Sequence, residues 1–146
     1  HAMTSAPPRA DTARELKRQL AALTAHVGEY RSRLAPFVAA TKRACEERGC
    51  RVVVATLPLD LQVDAREWQK YGTWARDMRP TEILAADLLV DADAMGVRGI
   101  DLLEPLRAAS PGAFLPDDYH LSPHGHRAVA AAIAEALRVQ PPASHP

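Results

Sequence analysis

The run Val52-Val-Val-Ala-Thr-Leu57, bounded by Gly49 and Pro58, constrains the fold of this chain more than any other feature. A continuous apolar and β-branched run, without polar alternation, suits a strand buried on both faces inside a parallel sheet. A second strand pattern, less uniformly apolar, spans Val97 to Leu102. Between them, Pro80-Thr81-Glu82 opens a helical pattern with Leu84, Leu88, Ala92 and Met95 on one face and Gly96 as its C-terminal cap. A strand, a helical crossover and a second strand are expected to place the two strands adjacent and parallel, in an α/β layer. Ligands of such sheets bind beyond the C-terminal ends of the strands. The Pro58 loop and the Asp117–His120 loop are expected on that edge.

Upstream, Asp11 and Thr12 are N-cap candidates for a long helix. Leu16, Leu20, Leu23, Val27, Tyr30, Leu34 and Phe37 recur at alternating spacings of four and three and form an apolar seam. Gly28 and Pro36 interrupt it, and Pro36, with no backbone N–H to give, is expected to kink or restart the helix. The seam either packs on its own domain or pairs with another chain. Residues 1–10, with Pro7-Pro8, and residues 139–146 read as mobile ends. The stretch Asp64 to Met78 is polar and aromatic and is expected as a helix or loop over the strand ends. Trp68 and Trp74 within it are candidates for lining a substrate groove, with ordinary packing as the alternative.

Composition excludes several classes of function. A chain of 146 residues with 47% hydrophobic content can bury one core. A formal net charge of zero, with its arginines scattered among acids, carries no electrostatic footprint for nucleic acid. No stretch approaches the ~20 apolar residues that cross a bilayer. His1-Ala2-Met3 reads as a cloning scar, so a leader could have been removed. A bacterial periplasmic or secreted location and a cytoplasmic one both stay open. Cys45 and Cys50 could form a short disulfide in an oxidising compartment or stay as two partly buried thiols. They lack the second pair that a zinc site of this type uses.

The chemistry concentrates in Leu115-Pro-Asp-Asp-Tyr-His-Leu-Ser-Pro-His-Gly-His126. Asp117 precedes His120 by three residues, and a helix opens behind them at Ser122-Pro123 with Val129, Ile133 and Leu137 on its apolar face. A His that takes a proton from a nucleophile needs a carboxylate to fix its tautomer and stabilise the imidazolium. Asp118, two residues before the His, is the competing carboxylate; a surface ion pair is the alternative to a dyad. A serine partner is harder to find. Ser122 fits an N-cap before Pro123, Ser110 sits in a turn before Pro111, and Ser32 lies in a helix. His120, His124 and His126 with either Asp could supply zinc ligands, but His124 and His126 diverge by roughly 200° on a helix. No metal or cofactor is expected.

This segment resembles the C-terminal block of the SGNH hydrolases, the GDSL-type esterases and acyltransferases, whose last block reads Asp-x-x-His, a small turn, then an amphipathic helix. Asp117, His120, Gly125 and the helix after Ser122 match that pattern. Gly49 to Pro58 is similar to the family's penultimate strand, and Gly96 to Leu103 to its final strand. The resemblance implies part of a flavodoxin-like three-layer α/β fold, with residues 11–35 as an N-terminal helical segment and 36–138 as the C-terminal part of the hydrolase-like domain. It favours Asp117 over Asp118 for orienting His120. It also implies a Gly-Asp-Ser-like nucleophile block near the domain start and an oxyanion-hole Asn. This chain has no Gly-Asp dipeptide and no Asn. The implied activity is that of a serine esterase or acyltransferase on an O-acyl substrate, such as an acetylated carbohydrate, with the chain supplying the Asp–His pair to a Ser outside it. Its partner would then be the missing N-terminal half of the domain or another chain, a second copy included. The alternative is a non-catalytic module of the same descent that pairs through its N-terminal helix.

Overall fold

The computed structural model describes residues 27–72 and 77–139, with Arg14, Arg18, Ala21 and Ala22 besides, and of residues 27, 28, 30–32 and 139 the backbone alone. The seam positions Leu16, Leu20 and Leu23, the side chains of Val27 and Tyr30, Trp74, and the terminal segments 1–10 and 140–146 lie outside the described residues.

Both buried runs form strands, each of four residues: β1 (Val53–Thr56) and β2 (Arg98–Asp101). They pair in parallel, with Val53 opposite Arg98 and Thr56 opposite Asp101. Helix α1 (Val27–Glu46) precedes β1. The crossover consists of α2 (Asp60–Val63), a 3-10 helix (Ala65–Tyr71) and α3 (Arg79–Ala94). Helices α4 (Leu103–Ala108) and α5 (Pro123–Val139) follow β2.

Successive strand residues point to opposite faces of a sheet, and here they feed two cores. Val54 joins Val38 of α1, Leu88 and Ala92 of α3, and Val97 on one face. Val53 and Ile100 join Leu102, Leu106, Phe114, Ile133 and Ala136 of the segments after β2 on the other. Helices therefore cover both faces of a parallel sheet, which is the three-layer arrangement. Helix α3 ends as its sequence implies. Gly96 takes the left-handed conformation (φ 70) and lets the N–H of Val97 return to the Ala92 carbonyl at 2.8 Å.

Two expectations about α1 need adjusting. The helix runs unbroken through Pro36. The proline is exposed, so its ring faces solvent and the carbonyl deprived of its partner can be hydrated. Phe37, the last seam residue, is 71% exposed, whereas its neighbour Val38 is buried. The inward stripe is thus rotated by one residue from the seam. Cys45 and Cys50 are joined by a disulfide across the junction from α1 toward β1.

The Thr56 carbonyl accepts the N–H of Leu102, so Val54 and Thr56 turn their backbone groups toward β2. Ala55 turns its groups the other way, and among the described residues no strand pairs with that edge of β1.

Candidate active site

The loop carrying Asp117, Asp118 and His120 is pinned at its base. Phe114 and Leu121 form an antiparallel bridge, and Leu115 N–H donates to the His120 carbonyl at 2.9 Å. Behind it, Ser122 N–H donates to the Ala113 carbonyl at 2.9 Å. The Ser122 hydroxyl accepts the N–H groups of His124 and Gly125, both at 3.1 Å, and donates to the Gly112 carbonyl. These are the contacts of an N-cap, as the Ser-Pro pair implied. Gly125 lies so close to the Ala113 carbonyl that no side chain fits there.

Nδ1 of His120 lies 2.8 Å from Oδ2 of Asp118. Sequence spacing favoured Asp117 for this contact; the hydrogen bond is made by Asp118, the competing carboxylate. The cause is local. The Asp118 backbone N–H turns back toward the Leu115 carbonyl (3.4 Å), and Oδ1 accepts the N–H of Tyr119 at 2.6 Å. That folds the carboxylate over the turn to meet the ring two residues on. Asp117 is exposed on the same loop. The bond from His120 holds the Asp118 carboxyl below the usual carboxylate range, so it is ionised at neutral pH and can only accept. Nδ1 is therefore the donor, and in the neutral ring Nε2 keeps its lone pair. The His120 side chain is 64% exposed, and the Tyr119 ring stacks on it with centroids 4.4 Å apart. An oriented, exposed imidazole of this kind has the geometry a general base uses when a proton donor is supplied.

Neither serine with a described side chain in or near this loop is free to be that donor. Ser122 is committed to the cap, and Ser110 donates its hydroxyl to Asp64 Oδ2 at 2.8 Å. The side chain of Ser32 lies outside the described residues. Trp68 is 5% exposed and packs with Leu61, Tyr71 and Met78 as core. The tight 3-10 winding brings residues three apart onto one face, which turns Trp68 and Tyr71 inward together. Among the described residues, no group of three or more His, Cys, Asp or Glu side chains is placed to hold a metal ion.

The edge beyond the strand ends, where a ligand was expected, is concave. A largely apolar cleft of about 480 Å³ opens at the C-terminal ends of both strands, lined by Thr56, Leu57, Pro58, Leu84, Leu88 and Asp101 among others. Asp118 and His120 do not line it. The Pro58 loop lines the cleft at the edge where parallel sheets place their ligands.

The profile of the family described as "SGNH hydrolase-like domain, acetyltransferase AlgX" matches residues 10–145. The chain belongs to this family of SGNH hydrolase-like domains. Searches of curated proteins and of solved structures return no significant match.

Proposed function

We propose that this chain is part of an SGNH-type acyltransferase or esterase and contributes the His120–Asp118 pair to a serine nucleophile located outside these 146 residues. The observation that carries this reading is the 2.8 Å bond from Nδ1 of an exposed His to an ionised carboxylate, on the loop before α5. In this arrangement Nε2 takes the proton of the serine hydroxyl as its oxygen attacks an ester carbonyl. The leaving alcohol then receives that proton, giving an acyl-enzyme. The reverse sequence delivers the acyl group to a second hydroxyl, such as that of a carbohydrate, or to water. The nucleophile and the oxyanion donors come from the missing part of the domain or from a partner chain.

The test compares two polypeptides on p-nitrophenyl acetate. The chain alone should show no turnover that depends on His120. The same chain with its flanking gene sequence should show turnover that falls by about 10²–10⁴-fold in His120→Ala. Robust turnover by the chain alone, abolished by His120→Ala and by one serine substitution, would overturn the assignment of the nucleophile elsewhere.

A second reading, a non-catalytic module that pairs through its N-terminal helix, is favoured by Phe37, which ends the seam at 71% exposure. Under that reading the flanking sequence restores no activity, and Phe37→Asp weakens self-association measured by sedimentation.

A further inference from the structure

A buried polar cluster lies beside the dyad loop. Asp60, at the start of α2, is 1% exposed, and Lys70 and Glu67 of the 3-10 helix are 11% and 13% exposed at their side chains. Lys70 Nζ lies 3.5 Å from Asp60 Oδ2, contacts Glu67 Oε2, and donates to the Asp118 backbone carbonyl at 3.0 Å. Of the three N–H groups of an ammonium, one goes to Asp60 Oδ2 and one to the Asp118 carbonyl, while the Glu67 contact is an ion pair without a hydrogen bond. Tyr71 donates its hydroxyl to Asp60 Oδ2 at 2.7 Å. Burial, then the hydrogen bond to Asp60 and the negative charges of Asp60, Glu67 and Asp118, push the Tyr71 phenol far up, so it remains a donor. The Lys70 ammonium also sits 6.0 Å from the centroid of Phe114, the residue at which the dyad loop begins.

A buried ammonium is retained at a cost that its partners must offset. Here two carboxylates offset its charge, and one of its hydrogen bonds goes to a backbone carbonyl 48 residues away, that of the residue whose carboxylate meets His120. The loop itself has little apolar anchorage, since Leu115, Asp117, Tyr119 and His120 are all exposed.

We propose that Lys70 is a positioning residue for the Asp118–His120 pair: held by Asp60 and Glu67, its ammonium fixes the Asp118 carbonyl and with it the turn that brings the carboxylate to Nδ1. The importance of this role rests on the proposed function, but the geometry it controls does not. The experiment reads the His120 ring by long-range ¹⁵N–¹H NMR of the whole chain, at a pH where the imidazole is neutral. Wild type and Glu67→Gln, which keeps the Lys70 bond, should show the Nδ1–H tautomer. Lys70→Met should lose it while the methyl spectrum of the core is retained. Should Lys70→Met fail to fold, Lys70→Met/Glu67→Gln decides, because it strands no carboxylate opposite a missing ammonium. Retention of the Nδ1–H signal in a folded Lys70 variant overturns the proposal. So does its loss in Glu67→Gln, and so does unfolding of both Lys70 variants, which would make the role purely structural. The readout is a ring proton and not turnover, so an inactive extended enzyme would count against the proposed function and leave the role of Lys70 standing.

Discussion

A Cβ added to Gly125 would fall 2.0 Å from the carbonyl oxygen of Ala113. The first turn of α5 is thereby clamped to the strand-like segment that leads into the Asp118–His120 loop. The obstacle is backbone and cannot swing aside like a side chain. Gly125→Ala should therefore destabilise the domain by about 2–3 kcal/mol, at the upper end of overpacking costs. Urea unfolding is the measurement; a change under about 0.5 kcal/mol, the scale of surface substitutions, would mean the segment yields freely.

Ser122→Ala separates a cap from a nucleophile. Its hydroxyl serves the N–H groups of His124 and Gly125 and the Gly112 carbonyl. Loss should cost about 1–2 kcal/mol in stability. The esterase activity of the polypeptide with its flanking sequence should survive at temperatures where the variant is folded. Abolished activity in a folded variant would make Ser122 part of the chemistry.

Asp118→Asn and Asp117→Asn should part company. The asparagine at 118 presents an amide where an ionised carboxylate accepted the Nδ1 proton, which favours the wrong tautomer. Activity of the extended polypeptide should fall by about 10³-fold or more. At 117 the effect should be smaller by at least about tenfold, since the bond to Nδ1 comes from Asp118. Equal losses would mean the two carboxylates act as a unit.

Asp64 links the 3-10 helix to the turn before Pro111. It accepts the Arg66 side chain and backbone N–H, and the Ser110 hydroxyl. The Arg66 bond, opposed in part by burial, holds its carboxyl well below the ordinary value of 3.8. A depressed pKa in the folded state means the unfolded chain binds the proton first as pH falls. Stability from this group is complete above about pH 5 and is lost progressively below about pH 4. Asp64→Asn should flatten the acid limb of a pH–stability profile while leaving the shape near neutrality unchanged. An unaltered acid limb would show that Asp64 is not among the groups that set it.

The parallel pair was legible because Val52–Leu57 is a short apolar run bounded by Gly49 and Pro58, and a helical stretch separates it from the second short pattern at Val97–Leu102. Gly96 was legible for a similar reason, as a residue that takes a positive φ without strain. Pro36 was not, because the cost of a helical proline depends on which way its ring faces, and that is fixed by the docking of α1 on α3. Trp68 could be read as a groove aromatic until the 3-10 winding paired it with Tyr71 against Leu61. The choice between Asp117 and Asp118 turned on the bond that Asp118 Oδ1 accepts from the Tyr119 N–H, which folds that carboxylate back over the turn. Local spacing carries no information about such a bond.

The one-sided pairing of β1 has a consequence in the time domain. The amide of Thr56 faces β2 and belongs to the ladder, whereas that of Ala55 faces the edge with which no described strand pairs. Exchange with deuterated solvent should then alternate along four residues, slow at Val54 and Thr56 and fast at Ala55. Whatever lays a further strand against that edge must convert Ala55 from fast to slow. The amide of one small residue is in this way a clock for the completion of the sheet, and it can be read without knowing what the partner is or what it does.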